Sequence, residues 1–384
     1  MTLCYQMDDK YEMVRLAVRE FAESEVKPVA GELDEKEEFS VSLTQQMGDI
    51  GLFGMVVPEE YGGQGLDYIS YIIAVEEIAR VDGSQAATLA AGNSLGIWPI
   101  YAFGSKAQRR KYLPELCQGK TLLGFGLTEP NAGSDAGATS TTAVKEGDSW
   151  VINGRKTMTT NANTPMTRGS IVQAVTGVRP DGRTDYTCFI VENGTPGFTL
   201  NTLKRKLMWR ASNTAELFLN NCRVSSEAVL GNPGDGFKQM LATLDGGRLS
   251  IGAMGLGCAQ GAYEAAMRYS KERIQFGRPI CKQQAIAFKL ADMELKIELA
   301  RNLLYKACWL AENKRPYGKE SAMSKLYCSE IAKEVADEAV QIHGGYGLFK
   351  DYDVERFYRD QRLLQIGEGT SEILRVVISR SIGC

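Results

Sequence analysis

The stretch Tyr358-Arg359-Asp360-Gln361-Arg362-Leu363-Leu364-Gln365-Ile366-Gly367-Glu368-Gly369-Thr370-Ser371-Glu372-Ile373 decides how this chain is read. A helical pattern runs up to Gln365, a carboxylate between two glycines follows, and Thr370 or Ser371 is placed to cap a new helix. Glycines on both sides let the backbone bend sharply and let another molecule approach closely. The spacing predicts a turn between two helices with Glu368 at its tip, a mount for a base that projects into a cleft. Taken alone, the stretch reads first as ordinary helix punctuation around a solvated glutamate, so the remaining sequence has to weigh the two.

Outward from this turn, the C-terminal part is helical. Periodicity predicts helices over 237–275, 282–313, 320–341 and 353–365, enough for an antiparallel bundle, with a last helix over 370–381. Between Leu122 and about Gly231 the pattern changes to alternation, with frequent Gly, Thr and Asn. Strands are expected at 122–127, 170–176, 186–192 and 216–224, and Trp150-Val151-Ile152-Asn153-Gly154 reads as a strand entering a turn. Residues before Leu122 are again helical, at 7–27, 41–50 (capped by Ser40), 68–79, 84–103 and 105–117. The chain therefore divides into a helical domain at 1–122, a β domain at 123–231 and a helical bundle domain at 232–384.

Composition narrows the chemistry. A net charge of -3 gives no electrostatic case for nucleic acid or anionic membrane. No apolar run is long enough to span a bilayer, and the first residues lack a signal-peptide pattern. A cytoplasmic protein is expected, with a processed organellar form left open. Nine cysteines, an odd number with no C-x-x-C pair, read as free thiols rather than disulfides or a zinc site. The single histidine, His343, leaves no material for a poly-His metal site. Carboxylates, backbone or a cofactor must carry any difficult step, and no metal is expected.

No dinucleotide fingerprint or P-loop is present. Gly255-Leu256-Gly257-Cys258-Ala259-Gln260-Gly261 lies within a helix and reads as small residues that let helices pack closely. Leu127-Thr128-Glu129-Pro130-Asn131-Ala132-Gly133-Ser134-Asp135 follows an apolar strand. It offers hydroxyls and backbone N–H groups suited to phosphate or a polar ring edge, or it is simply an Asx-rich loop. Arg273-Ile274-Gln275-Phe276-Gly277-Arg278-Pro279-Ile280 reads as a phosphate-matching arginine pair or as a charged helix end. Gln341-Ile342-His343-Gly344-Gly345 is explained equally by helix termination.

Together these motifs resemble the acyl-CoA dehydrogenase family over essentially the whole chain, with the closest look to its short-chain and short branched branch. The loop at 127–135, the Cys222-Arg223-Val224 strand end, the Leu244-Asp245-Gly246-Gly247-Arg248 helix entry, and the turns at 273–279, 341–345 and 368–372 follow the family's order. The resemblance implies an α+β fold with an N-terminal helical domain, a middle β-barrel-like domain and a C-terminal four-helix bundle. It implies FAD held by Leu127, Thr128, Gly133, Ser134, Met158, Thr160, Thr370 and Glu372. Arg273, Gln284, Gln341, His343, Gly344 and Gly345 would contribute to the flavin site across a subunit boundary, though His343 reads more readily as packing. Ser134, Asp245, Arg248 and Gly369 would contact the CoA substrate.

The implied reaction removes the α-proton and β-hydride of an acyl-CoA thioester, with Glu368 as base and flavin as hydride acceptor. A backbone N–H near Glu368, with a flavin ribityl hydroxyl, would polarise the thioester carbonyl. Some members place the base on the long helix instead, at the position of Gly247, which has no side chain here. A homotetramer and an electron-transferring flavoprotein as acceptor are implied. An oxygen-using oxidase and a non-catalytic flavin scaffold remain as alternatives. Two departures stand out: Gly367 where the family often has Tyr, and Met158 where it usually has Trp or Phe. Both trade ring volume for space or adaptability, which predicts a wider acyl pocket for a branched or cyclic group.

Overall fold

The computed structural model describes residues 8–384. Its first helices are α1 (Asp9–Phe21) and α2 (Lys27–Lys36), joined without a break by a π-helical turn at Ala22–Val26. The helix thus runs beyond Lys27, where the sequence suggested an end. Pro28 follows directly on the π turn, whose altered register accommodates a residue with no N–H to donate. Residue 7, the expected helix start, lies outside the described residues. Next come α3 (Val41–Asp49), α4 (Tyr68–Ala79), α5 (Gly83–Ala91), α6 (Trp98–Phe103) and α7 (Lys106–Cys117). Ser40 caps α3, and Ser105 with Gln108 forms a reciprocal capping box on α7.

The middle of the chain forms strands β1 (Leu122–Gly126), β2 (Thr142–Glu146), β3 (Ser149–Thr160), β4 (Thr167–Val178), β5 (Thr184–Glu192), β6 (Phe198–Thr202), β7 (Thr214–Ser225) and β8 (Val229–Leu230). They make one sheet in the order β6-β7-β3-β2-β4-β5-β8, with β1 parallel to β4. The turn expected at Gly154 is absent, and β3 continues through it with a shift of register against β7. Glycine is needed there because its φ is +154 and Thr141, beside it just before β2, brings Oγ1 within 2.3 Å of a methyl built on Gly154. The short strands β2, β6 and β8 carried too few apolar residues to be read from alternation. Trp150, Ile152, Val172, Phe189, Leu217 and Leu219 fill a core of the sheet's own.

The remaining helices are α8 (Gly236–Glu272), α9 (Gln284–Glu312), α10 (Gly318–His343), α11 (Val354–Asp360) and α12 (Ser371–Ser381). Helix α8 ends at Glu272, before the expected limit. Residues 274–279 instead form a tight hairpin of β9 (Ile274–Gln275) and β10 (Arg278–Pro279), with positive φ at Phe276 and Gly277. The helix expected over 353–365 tightens to 3₁₀ after Asp360. No helix among the described residues is long and apolar enough to cross a membrane.

Helix α8 organises the helical parts. A methyl on Gly257 would lie 2.3 Å from the Glu76 carbonyl, and one on Gly261 would lie 2.0 Å from the Arg80 carbonyl. The glycines therefore let the α8 and α4 backbones approach within reach of each other. One hydrophobic core then runs through both helical blocks, from Ile72, Ile73 and Val75 to Leu249, Ala253 and Leu256. Buried Glu76 and Glu77 lock the same junction: Arg15 meets Glu77 at 2.6 Å, Arg301 meets Glu76 at 3.1 Å, and Tyr305 donates to Glu76 at 2.6 Å. Gly257→Val is expected to lower stability by about 1–3 kcal/mol or more, because neither backbone can retreat. Chemical denaturation checks this, and a variant as stable as the parent would contradict the packing account.

Candidate active site

The turn at 367–369 closes between α10, α8 and α12. Ile366 and Gly367 N–H both donate to the Leu363 carbonyl at 2.8 Å, which ends the 3₁₀ turn. Glu368 then takes φ +52 and Gly369 φ +98. The second value suits glycine alone, whereas Gly367 has no such requirement. Thr370 caps α12 by accepting from Ile373 N–H at 3.3 Å. Both turn carbonyls after Gly367 are held by cations: Arg248 Nε lies 3.4 Å from the Glu368 oxygen, and Lys325 Nζ 2.7 Å from the Gly369 oxygen.

This geometry drives the Glu368 side chain inward. The residue as a whole is half-buried, but Oε2 is buried and has no hydrogen-bond partner in the protein. A methyl on Gly247 would lie 2.2 Å from that oxygen. The carboxylate therefore occupies the space that a side chain at 247 would fill. Burial pushes its ionisation up to about 7, with Lys325 and then Arg248 pulling the other way. A carboxyl group in that condition can hold or release a proton near neutral pH.

Substrate-contact candidates converge on the same place. Arg248 is buried and pairs with Asp245 at 2.7 Å, and a methyl on Gly369 would stand 4.0 Å from the Arg248 guanidinium. Asp245 is half-buried, and burial raises its ionisation against the pull of Arg248. The hydroxyls of Tyr68 and Tyr317 come within 3.9 and 4.0 Å of a methyl on Gly246. Ser134 lies elsewhere, exposed on the loop after β1.

A second group sits on the β domain. Glu129 is buried and bonds Lys156 Nζ at 2.7 Å, Ser140 N–H at 2.8 Å and Thr141 N–H at 3.0 Å. Burial works against its charge, but these donors outweigh it and hold the carboxyl at about 2. With Glu129 so engaged, the loop's exterior is left to Thr128, Gly133 and Ser134, and a methyl at Gly133 meets nothing within 4 Å. Thr157 N–H donates to the Thr128 carbonyl at 2.8 Å and Lys156 Nζ to Leu127 at 3.2 Å, which sets Leu127 and Thr128 beside Met158 and Thr160. A bulge against β7 gives Met158 φ +56 and leaves it 65% exposed.

The third group is a groove of about 530 Å³ lined by Arg273, His343, Gly344, Gly345, Tyr346 and Phe349, among others. Arg273 lies over the Tyr346 ring, 5.7 Å from its centre, and methyls on Gly344 and Gly345 would meet nothing within 4 Å. His343 is packed rather than free. Its ring stacks on Tyr269 at 4.3 Å, and Nδ1, 2.8 Å from the Ala339 carbonyl, donates to it. Burial lowers its ionisation, so the ring is neutral. Gln341 and Gln284 are exposed, on the last turn of α10 and at the start of α9, and Glu372 is exposed in the first turn of α12. None of the groove's lining residues comes from the β domain or the Glu368 turn.

Three models of one family match in sequence: acyl-CoA dehydrogenase N-terminal domain over residues 8–120, middle domain over 124–222 and C-terminal domain over 234–383. The chain is a member of the acyl-CoA dehydrogenase family, and so an oxidoreductase. It is 49% identical to a probable acyl-CoA dehydrogenase, YngJ, of Bacillus subtilis over 98% of this chain and 99% of that one. It superposes on butyryl-CoA dehydrogenase of Megasphaera elsdenii with TM-score 0.95 at 41% identity, covering 99% and 100% of the two chains. An acyl-CoA dehydrogenase of Bacillus anthracis complexed with FAD matches with TM-score 0.92 at 34% identity, over 99% of this chain and 68% of that one.

FAD is the family's cofactor, and this chain's donor set fits it. The β-domain loop offers unclaimed hydroxyls and an open glycine beside the apolar Met158. The groove offers a guanidinium and open glycine backbone along the same wall, the chemistry that accepts a diphosphate. The sequence reading missed Lys325, Lys156 and the tyrosines at 68, 71 and 317. Lys325 was traceable: it shares the buried register of Ser321, Cys328 and Ala332 on α10, where an ammonium is out of place. Gly247→Ala is expected to displace the Glu368 carboxylate and cut kcat/KM by about 10²-fold. Gly367→Ala, whose methyl would find its nearest neighbour at 3.7 Å, should change stability by less than about 0.5 kcal/mol. Steady-state kinetics and thermal melting check the pair, and an active Gly247→Ala enzyme would refute the steric account.

Proposed function

We propose that this enzyme converts a short acyl-CoA thioester to the trans-2-enoyl-CoA, with Glu368 removing the α-proton. The observation that carries this reading is the buried Glu368 oxygen without a protein partner, on a carboxyl whose ionisation lies at about 7. Such a group is basic enough to take a weakly acidic proton and is aimed at space rather than at a salt bridge. No other carboxylate competes from Gly247. The Glu368 N–H is not used by the turn's own hydrogen bonds, so it is free to polarise the thioester carbonyl. Arg248 and Asp245 anchor the base of the turn and meet the polar end of the substrate.

FAD, when bound, supplies the acceptor for the β-hydride. In this reading Leu127, Thr128, Gly133, Ser134, Met158 and Thr160 hold it from the β domain, and Thr370 and Glu372 from the start of α12. Arg273, Gln284, Gln341 and the His343–Gly345 turn serve the corresponding group of a neighbouring copy within a homotetramer. The 93% exposure of Phe276, next to Arg273, supports a partner surface there. An electron-transferring flavoprotein accepts the electrons.

The acyl group is short and branched or cyclic. The Tyr68 and Tyr317 hydroxyls above Gly246 limit depth, while Gly367 leaves volume beside the base where a side chain would fit. Glu368→Gln should slow anaerobic flavin bleaching by about 10²–10⁴-fold. A variant bleaching as fast as the parent would remove Glu368 from this role. For the native enzyme, kcat/KM should rise with pH through an acid limb centred near 7, because only the ionised carboxylate accepts the proton. Turnover of butyryl-, isobutyryl- and cyclohexanecarboxyl-CoA tests the pocket: clear preference for the straight chain rules out the wider site.

A further inference from the structure

Lys325 has no part in the reaction as written, yet it lies under the Glu368 turn. It is 0% exposed. Among the described residues it forms no ion pair within 4.0 Å, and its recorded partner is the Gly369 carbonyl at 2.7 Å. A buried ammonium facing only a backbone oxygen is costly, and a neutral donor would satisfy that oxygen as well.

The surrounding charges show where this cation's field goes. On α8, Arg248 is engaged by Asp245 at 2.7 Å. On α10, Glu330 is taken by the Ser371 hydroxyl at 2.7 Å and by Gln365 Nε2 at 2.8 Å. On α12, Glu372 is exposed, and on α4 the Tyr71 phenol, its ionisation driven up by burial, carries no charge. That leaves Glu368 as the buried anion without a partner and Lys325 as the buried cation without one.

We propose that Lys325 is a positioning residue for the base: it fixes the Gly369 carbonyl, and so the left-handed turn that aims Glu368, and its charge favours the ionised carboxylate. The inference rests on Glu368 being the base. Hydrogen bond and field act on the same residue from one side chain, so orientation and basicity are set together. Burial lowers Lys325 to about 8 while Glu368 pulls it back up, and burial raises Glu368 to about 7 while Lys325 pulls it down. Between those two values the charged form of each group predominates. Below that window the carboxyl is protonated and idle; above it the amine is neutral, still able to donate to Gly369 but no longer attracting a negative carboxylate.

The test uses the flavin-bound enzyme with butyryl-CoA and three variants. Lys325→Met removes charge and hydrogen bond, Lys325→Gln keeps a donor without the charge, and Glu368→Gln tests the base itself. In both Lys325 variants the acid limb of kcat/KM should move up by about half to one pH unit, which for a full unit is about a fivefold loss at pH 7. Lys325→Gln should recover more of the alkaline plateau than Lys325→Met. A lowered plateau with an unmoved limb in both variants would show a merely structural lysine and overturn the proposal. If Glu368→Gln turned over like the parent, the base assignment would fall first; an inactive Glu368→Gln with unmoved limbs sinks the Lys325 role alone. Should neither lysine variant fold, the difference in proton uptake between parent and Glu368→Gln reads the same coupling. Two overlapping steps spanning pH 7 and 8 support it, and one simple step rejects it.

Discussion

The carboxylate of Glu368 rests where a side chain at position 247 would be. That exclusion ties together features far apart in sequence. It requires glycine on α8, a left-handed residue followed by Gly369 in the turn, and helices close enough for the two to meet. The close approach of α8 to α4, made possible by Gly257 and Gly261, is part of the same constraint, since α8 carries Gly247 and Arg248 as well. Shift that helix outward and the Glu368 carboxylate loses the wall against which it is desolvated.

Desolvation sets Glu368 apart from most other carboxylates; Asp360 is also buried and its ionisation raised to about 7, but its Oδ1 accepts from Trp209 N–H at 2.8 Å. Glu129 and Glu76 are also buried, but each is surrounded by donors or arginines, and their ionisation is held below the ordinary value despite burial. They are structural anions: one folds the loop after β1, the other joins α4 to α9. Glu368 has cations on the carbonyls of its turn and none bonded to Oε2. What separates these buried carboxylates is therefore which atoms the nearby donors reach.

Much of the architecture was legible in sequence because local patterns carry it. Ser40 and Ser105 announce their helices through capping, and the glycines of 255–261 were readable as a close helix contact. Errors fell where local preference and tertiary context disagree. The apolar pattern ended at Lys27, but a π turn carries the helix on to Lys36. Gly154 suggested a turn, but the close approach of Thr141, just before the neighbouring strand, is what demands glycine. Residues 274–275 continued a helical pattern, yet the Phe276-Gly277 turn folds them into a hairpin.

The sequence by itself determined the three-block order, the family's motifs and the one carboxylate flanked by glycines, because these depend on residue type at fixed spacing. It also marked Gly247 as a position with no competing side chain. Only the tertiary structure decided that this emptiness is filled by Glu368, that Lys325 lies beneath the turn, and that Gly369 rather than Gly367 needs its glycine. Those facts depend on distances between α8, α10 and the turn. Such distances are set by packing across some 120 residues of chain from Arg248 to Glu368, which no local pattern records.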